Sequence, residues 1–302
     1  MDGILPLWKE KGMTSHDCVF KVRKILKMKK VGHTGTLDPD VEGVLPICLG
    51  RATKLAEYIM NSGKVYEGEV TIGFSTTTED ASGEILEQQP VQSSISRANI
   101  LSVLQSLTGE ITQTPPMYSA VKVNGKRLYE YARQGIEVER PSRKVTIHEL
   151  ELLDDRESFA GETIQFSFRA ACSKGTYIRT LAVMIGERLG YPAHMSKLVR
   201  TSSGGFSEKQ CVTLDELRQL QEKEAVSSIL QPLERGVDHL PKWTINDTLA
   251  KKVMNGSVLD IPASWPEHAK EAAVFEEGTL LAIYKLHPDK MGKVKPVKVL
   301  AD

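Results

Sequence analysis

The chain has 302 residues, 40% hydrophobic and 26% charged, with 39 basic side chains balanced by 39 acidic ones. That is ordinary for a soluble globular protein and leaves room for one large domain, or one medium and one small, each with its own core. No apolar run reaches bilayer length, the first nine residues lack the long apolar core of a secretory signal, and no histidine or cysteine pair has metal-ligand spacing; a cytoplasmic protein without a metal is expected, its thiols Cys18, Cys48, Cys172 and Cys211 reduced.

In chain order, Ser15 is placed to cap a helix in which Cys18, Val19, Val22, Ile25 and Leu26 form an apolar stripe. Lys21, Arg23, Lys24, Lys27, Lys29 and Lys30 crowd its back and its exit. Residues 32–46 follow, reading Gly-His-Thr-Gly-Thr-Leu-Asp-Pro-Asp-Val-Glu-Gly-Val-Leu-Pro. Its three glycines, and the bias that Pro39 imposes on Asp38, predict backbone that is neither regular helix nor regular strand. An isolated Asp-Pro is usually a turn starter, yet rigid irregular backbone of this length is where catalytic side chains tend to be presented.

A helix carrying Ala52, Leu55, Ala56 and Ile59 comes next, closed by Gly63. Residues 64–74 alternate as a strand with Tyr66, Val70, Ile72 and Phe74 on its apolar face. Residues 96–107 read as a helix. Pro115-Pro116 begins a rigid turn, Asn124-Gly125 marks a hairpin tip, and a short helix ends at Gly135. Strands are expected over 144–153 and 162–172. The turn Ser173-Lys174-Gly175-Thr176 leads into a helix bearing Ile178, Leu181, Ile185 and Leu189, which stops at Gly190. Thr213 to Glu216 is a capping box for an acidic helix. Beyond Pro232 the composition changes, and a β-leaning tail begins at Pro241. The pattern is α+β: a domain of residues 1–237 on a mixed or antiparallel sheet, then a small β-rich domain of residues 238–302. The basic residues gather near 21–30, 122–144 and 285–298, with acids segregated between 208 and 234, a distribution that favours a phosphate-binding face despite zero net charge.

Four segments in order, residues 32–46, Lys64-Val65-Tyr66, the run from Pro115 to Lys122, and the run from Ser173 to Arg179, make the chain resemble the bacterial tRNA pseudouridine-55 synthases over nearly its whole length. It departs from that pattern at Val41, where many relatives carry Ala, with Glu42 beside it. The resemblance implies a pseudouridine synthase catalytic domain with an RNA-binding insertion around residues 112–145, and a PUA-like RNA-binding domain at the C-terminus, the latter on a loose match over residues 256–259 and 278–284. It implies an enzyme that acts on uridine 55 in the TΨC stem-loop of tRNA without a cofactor; nothing in the residues suggests an oligomer, and a monomer is expected. The base is cut from C1′, turned, and rejoined through C5 in a dry pocket.

By the same resemblance Asp38 is the essential nucleophile or base. Burial would raise its pKa, and Arg179 matches the cation that answers this. Tyr66 matches the ring that stacks on the uracil and helps remove its C5 proton; Tyr177 and Leu198 match pocket-lining residues. His33 matches a residue that helps hold the nucleotide turned out of its loop. Lys21, Lys24, Lys122, Lys126 and Arg127, interleaved with Tyr118, Tyr129 and Tyr131, suit RNA phosphates and splayed bases. Two other classes stay open on the residues: a tRNA-folding RNA binder with secondary catalysis, and a hydrolase with Asp38 as covalent nucleophile, which would need a nearby His base or a metal.

Overall fold

The computed structural model describes residues 1–300, in which nine strands form one mixed sheet. Its main path runs Gly3–Lys9, Glu42–Leu49, Ala193–Ser203, Lys64–Ile72, Ile164–Cys172, Arg143–Leu152 and Gly109–Gln113. Val31–His33 adds to Glu42–Leu49, and Phe206–Ser207 to Ala193–Ser203. Ala193–Ser203 runs parallel to Glu42–Leu49 through Val199↔Glu42 and Arg200↔Gly43, whereas Gly3–Lys9 and Lys64–Ile72 pair antiparallel with their neighbours.

Lys64–Ile72 lies centrally, and its period-2 alternation sends Tyr66, Val70 and Ile72 into the larger core. There they meet Phe166, Phe168 and the helices Arg97–Ser106 and Ile178–Leu189. A second core sits between the helices Ser15–Leu26 and Leu214–Glu222 and the strand Gly3–Lys9.

The tail forms a five-stranded sheet, in the order Lys242–Thr244, Glu271–Glu276, Thr279–Leu286, Lys293–Val299 and Leu259–Asp260. Trp243, Val274 and Tyr284 centre its own core. A further cluster of Leu55, Tyr58, Val237, Ala273 and Phe275 joins it to the body, where the Tyr58 hydroxyl donates to Glu271 Oε1 at 2.7 Å. No described helix is long and apolar enough to cross a membrane.

Two local expectations are corrected. The irregular stretch is shorter than residues 32–46, because strand structure occupies Val31–His33 and resumes at Glu42. Val44, Leu45, Ile47, Cys48 and Leu49 are all fully buried, so the strand has no polar face to reveal its period. Ser15 is not the helix cap. Thr14 is, in a reciprocal box with Asp17, and Ser15 is buried inside the first turn.

Residues 114–142 leave the sheet and return to it at adjacent points, since Gln113 pairs with Arg143. Their hairpin turns on Asn124 (φ 50°) and Gly125 (φ 84°), as the dipeptide predicts, and the helix Leu128–Ala132 follows.

The parallel pairing depends on Gly43. A Cβ there would sit 2.3 Å from the Arg200 carbonyl oxygen, and its φ of +133° suits only glycine. Gly43→Ala is expected to cost about 3 kcal/mol by forcing two central strands apart. Urea unfolding of the variant checks this; a loss below about 0.5 kcal/mol, within ordinary surface-substitution scatter, would show that the strands yield freely.

Candidate active site

The loop between Val31–His33 and Glu42–Leu49 is held by its backbone. Val41 N–H donates to the Asp38 carbonyl at 3.1 Å, closing a turn at Pro39. The Pro39 carbonyl accepts from Gly12 N–H at 2.9 Å and Lys9 Nζ at 3.1 Å. Leu37 N–H donates to the Ser15 hydroxyl at 2.8 Å, which explains why that serine is buried. Arg200, wholly buried, donates Nε to the Val44 carbonyl at 2.8 Å and its terminal nitrogens to the Gly35 and Thr36 carbonyls at 3.4 and 3.5 Å.

Lys9, Lys64 and Arg200 are therefore three buried cations beneath or beside the loop that bond backbone carbonyls, and among the described residues they form no ion pair. Burial, with Arg200 adding repulsion, pulls the Lys64 ammonium down to about 8, and burial lowers that of Lys9.

Asp38 points its Oδ2 to Arg179 Nη2 at 3.2 Å. Arg179 enters from the first turn of the helix Ile178–Leu189, its side chain only 6% exposed. The same guanidinium reaches Asp80 Oδ2 at 3.6 Å and donates to the Thr78 and Tyr118 carbonyls at 2.9 and 2.8 Å. Asp80 is fixed in turn by the Thr78 hydroxyl at 2.7 Å and by the Ser82 N–H at 3.0 Å and hydroxyl at 2.6 Å. One cation thus serves two carboxylates and two carbonyls.

The predicted Asp38–Arg179 pair is present, but the pocket is not sealed. The Asp38 side chain is 46% exposed, so whatever binds must itself complete the exclusion of water. Crowding by the surrounding protein still dominates the carboxylate. Desolvation raises its pKa above the ordinary value, Arg179 opposes that, and Asp80 adds to it.

Tyr66 stands cross-strand from Arg200 in the core cluster that includes Leu37 and Val41. Burial pushes its phenol up, the Arg200 guanidinium opposes this, and the Asp38 charge is felt at the ring. Leu198 lies opposite Gly68 and packs, half-buried, on the same cluster. The His33 Nδ1 accepts from Gly35 N–H at 3.2 Å, and burial followed by the Arg200 charge lowers its pKa, leaving a neutral ring at pH 7. Tyr177 is locked by both backbone groups to the Gln113 amide (3.0 and 3.1 Å), with the Arg143 guanidinium 4.5 Å from its ring centroid.

Of the residues singled out in the sequence, Asp38 and Arg179 are in contact, and Tyr66 and Leu198 share the adjacent wall. Lys21, Lys24, Lys122, Lys126 and Arg127 are exposed. Tyr129 has Arg127 and Arg133 within 5.8 and 5.4 Å of its ring, and Lys126 lies 5.9 Å from Tyr131. Sequence reasoning missed Asp80, Lys9 and Arg200. Asp80 had a signal in Thr76-Thr77-Thr78-Glu79-Asp80-Ala81-Ser82-Gly83, a run suited to side-chain-bonded turns. Arg200 had none.

An ionised carboxylate beside an oriented guanidinium serves nucleophilic attack or proton removal. The described residues contain no cluster of three metal-binding side chains, and the ion pair of Asp38 is with Arg179. Asp80→Asn removes a like charge, so Asp38 is expected to titrate at lower pH than in the parent. Arg179→Gln is expected to move it higher. Carboxyl NMR titration of ¹³C-aspartate-labelled protein reads both directions, and unchanged midpoints would contradict the shared-cation geometry.

Comparison with known proteins identifies the family. The TruB family pseudouridylate synthase N-terminal domain matches residues 23–178, and the tRNA pseudouridylate synthase B C-terminal domain matches residues 179–238. The tRNA pseudouridine synthase B of Geobacillus thermodenitrificans (strain NG80-2) is 60% identical over 300 residues, 99% of each chain. That of Bacillus subtilis (strain 168) is 58% identical over 303 residues, 99% of this chain and 98% of the other. Among solved structures, one of a Cbf5-Nop10-Gar1 complex aligns with a TM-score of 0.74 at 31% identity, covering 99% of this chain and 84% of that one. The chain belongs to the TruB family of pseudouridylate synthases.

Proposed function

We infer that the protein isomerises uridine 55 in the TΨC loop of tRNA to pseudouridine, cutting C1′–N1 and joining C1′ to C5 on a flipped nucleotide, with Asp38 as the essential residue. The observation that carries this reading is the Asp38 carboxylate set against a buried guanidinium in a loop whose backbone is pinned from beneath. Attack at C1′, addition to the base and removal of a ribose proton all require that carboxylate in its ionised form, and Arg179 keeps it available. Tyr66 and Leu198 supply an apolar wall for the uracil, with Tyr177 at the adjoining helix start. His33, neutral and tied to its own loop, contacts the displaced nucleotide. Extrusion costs a few kcal/mol, which binding along the stem must offset.

In this reading residues 112–145 and the helix bearing Lys21 and Lys24 hold RNA phosphates, and the domain from residue 238 is a PUA-like RNA-binding module. The protein works as a monomer in the cytoplasm, where its tRNA substrate is found, and needs no cofactor.

Asp38→Asn is expected to form no pseudouridine, mapped by chemical labelling of unmodified tRNA, while its tRNA affinity stays within about threefold of the parent (under 1 kcal/mol). Labelling at uridine 55 by that variant would overturn the role of Asp38. Persistence of binding without labelling in the parent protein would instead favour the RNA-folding alternative. Replacing Lys122 and Lys126 together by Ala is expected to weaken binding of all RNAs alike and to reduce the salt slope of log affinity by about two. An unchanged slope would remove these lysines from the phosphate-binding face.

A further inference from the structure

Among the described residues, one hydrogen bond ties residues 115–141 to the rest of the chain, and it is the one from Arg179 Nη2 to the Tyr118 carbonyl. The other hydrogen bonds of this segment are internal, such as Leu128 N–H to the Val121 carbonyl, Tyr131 hydroxyl to the Val123 carbonyl, and Arg140 to the Pro115 carbonyl. The next residue after that tethered carbonyl is Ser119. It is 6% exposed, its carbonyl accepts from Tyr129 N–H at 3.1 Å, and its buried hydroxyl has no hydrogen-bond partner among the described residues. Buried hydroxyls are normally bonded, because an unmade bond of this kind destabilises the fold that contains it.

The unmade bond lies at the root of the insertion and next to the reactive centre, since Nη2 of Arg179 contacts both the Tyr118 carbonyl and Asp38 Oδ2. We propose that Ser119 is a positioning residue for RNA: its hydroxyl is unbonded in the free protein and bonds a backbone oxygen of the bound tRNA once the insertion engages it. The segment that carries Ser119 also carries Lys122, Lys126 and Arg127, all exposed, so the oxygen-rich backbone of RNA is the ligand that its chemistry suits. With one hydrogen bond to the body among the described residues, the root of the insertion is free to shift on binding without breaking the sheet pairing of Gln113 with Arg143, which lies outside it. This proposal rests on the reading of residues 112–145 as RNA-contacting and adds to it a residue whose bond exists only in the complex.

The test compares the full-length parent and Ser119→Ala in two measurements, the unfolding temperature without RNA and the Kd for unmodified tRNA at fixed salt. The hydroxyl contributes nothing to the free protein, so the unfolding temperature of the variant is expected to equal or exceed that of the parent. Its Kd is expected to rise about two- to tenfold, the effect of one lost hydrogen bond. A lowered unfolding temperature would overturn the proposal, since the hydroxyl would then have a partner in the free protein, such as a buried water. An unchanged Kd would overturn it as well. If the parent itself forms no pseudouridine in tRNA, the functional reading fails; parent turnover with an unaffected variant sinks only the role of Ser119.

Discussion

A single buried guanidinium is shared by groups from three separate stretches of chain. Arg179 meets Asp38 from the loop, Asp80 and Thr78 from the segment after the central strand, and Tyr118 from the insertion, while itself belonging to the helix Ile178–Leu189. Arginine suits this position because its planar fork presents five donors at fixed angles and keeps its charge when desolvated; lysine offers a point charge and titrates on burial. Two carboxylates competing for one cation leave the Asp38 carboxyl less stabilised than a private pair would, which is why burial still wins at that side chain.

Beneath the loop the same logic runs through backbone dipoles. Among the described residues Lys9, Lys64 and Arg200 form no ion pair; Lys9 and Arg200 bond carbonyls of the loop and its flanks, and Lys64 those of Met60 and Ser62 just before its own strand. A loop held this way is stiff without a helix or strand of its own, and its positive underside favours the anionic form of Asp38, as the contribution of Lys9 to that carboxyl shows. Burying uncompensated charge costs stability. Here the cost falls at the functional site, where Lys64 is pulled down to about 8 by desolvation.

The half-exposed Asp38 makes the free enzyme an incomplete pocket. Whatever binds there must supply the missing wall. Zero net charge is compatible with a tRNA substrate because attraction depends on where charges lie: the lysines of the first helix and of the insertion are exposed, while the acidic helix Leu214–Glu222 shares a core with the first helix through Leu214 and Leu217.

The sequence by itself determined the elements whose signals are local. Asn124-Gly125 sets its hairpin because both residues accept positive φ, Gly190 stops its helix for the same reason, and the alternation through Tyr66 to Ile72 and through Ile164 to Cys172 marks strands with one buried face. The α+β class, the β-rich tail and the pairing of Asp38 with Arg179 were also legible, the last because both residues lie in short, contiguous motifs. Tertiary structure decided the rest. Gly3–Lys9 and Glu42–Leu49 are buried on both faces and so lack a period, and Thr14 displaced Ser15 as the cap because the Ser15 hydroxyl is needed by Leu37. Asp80 and Arg200 join the site through contacts with residues about 100 to 156 positions away in sequence, Arg200 only because a glycine at position 43 lets a parallel strand approach. Such contacts leave no periodic or local trace, since a charge satisfied by distant backbone carbonyls looks in sequence like any other surface arginine.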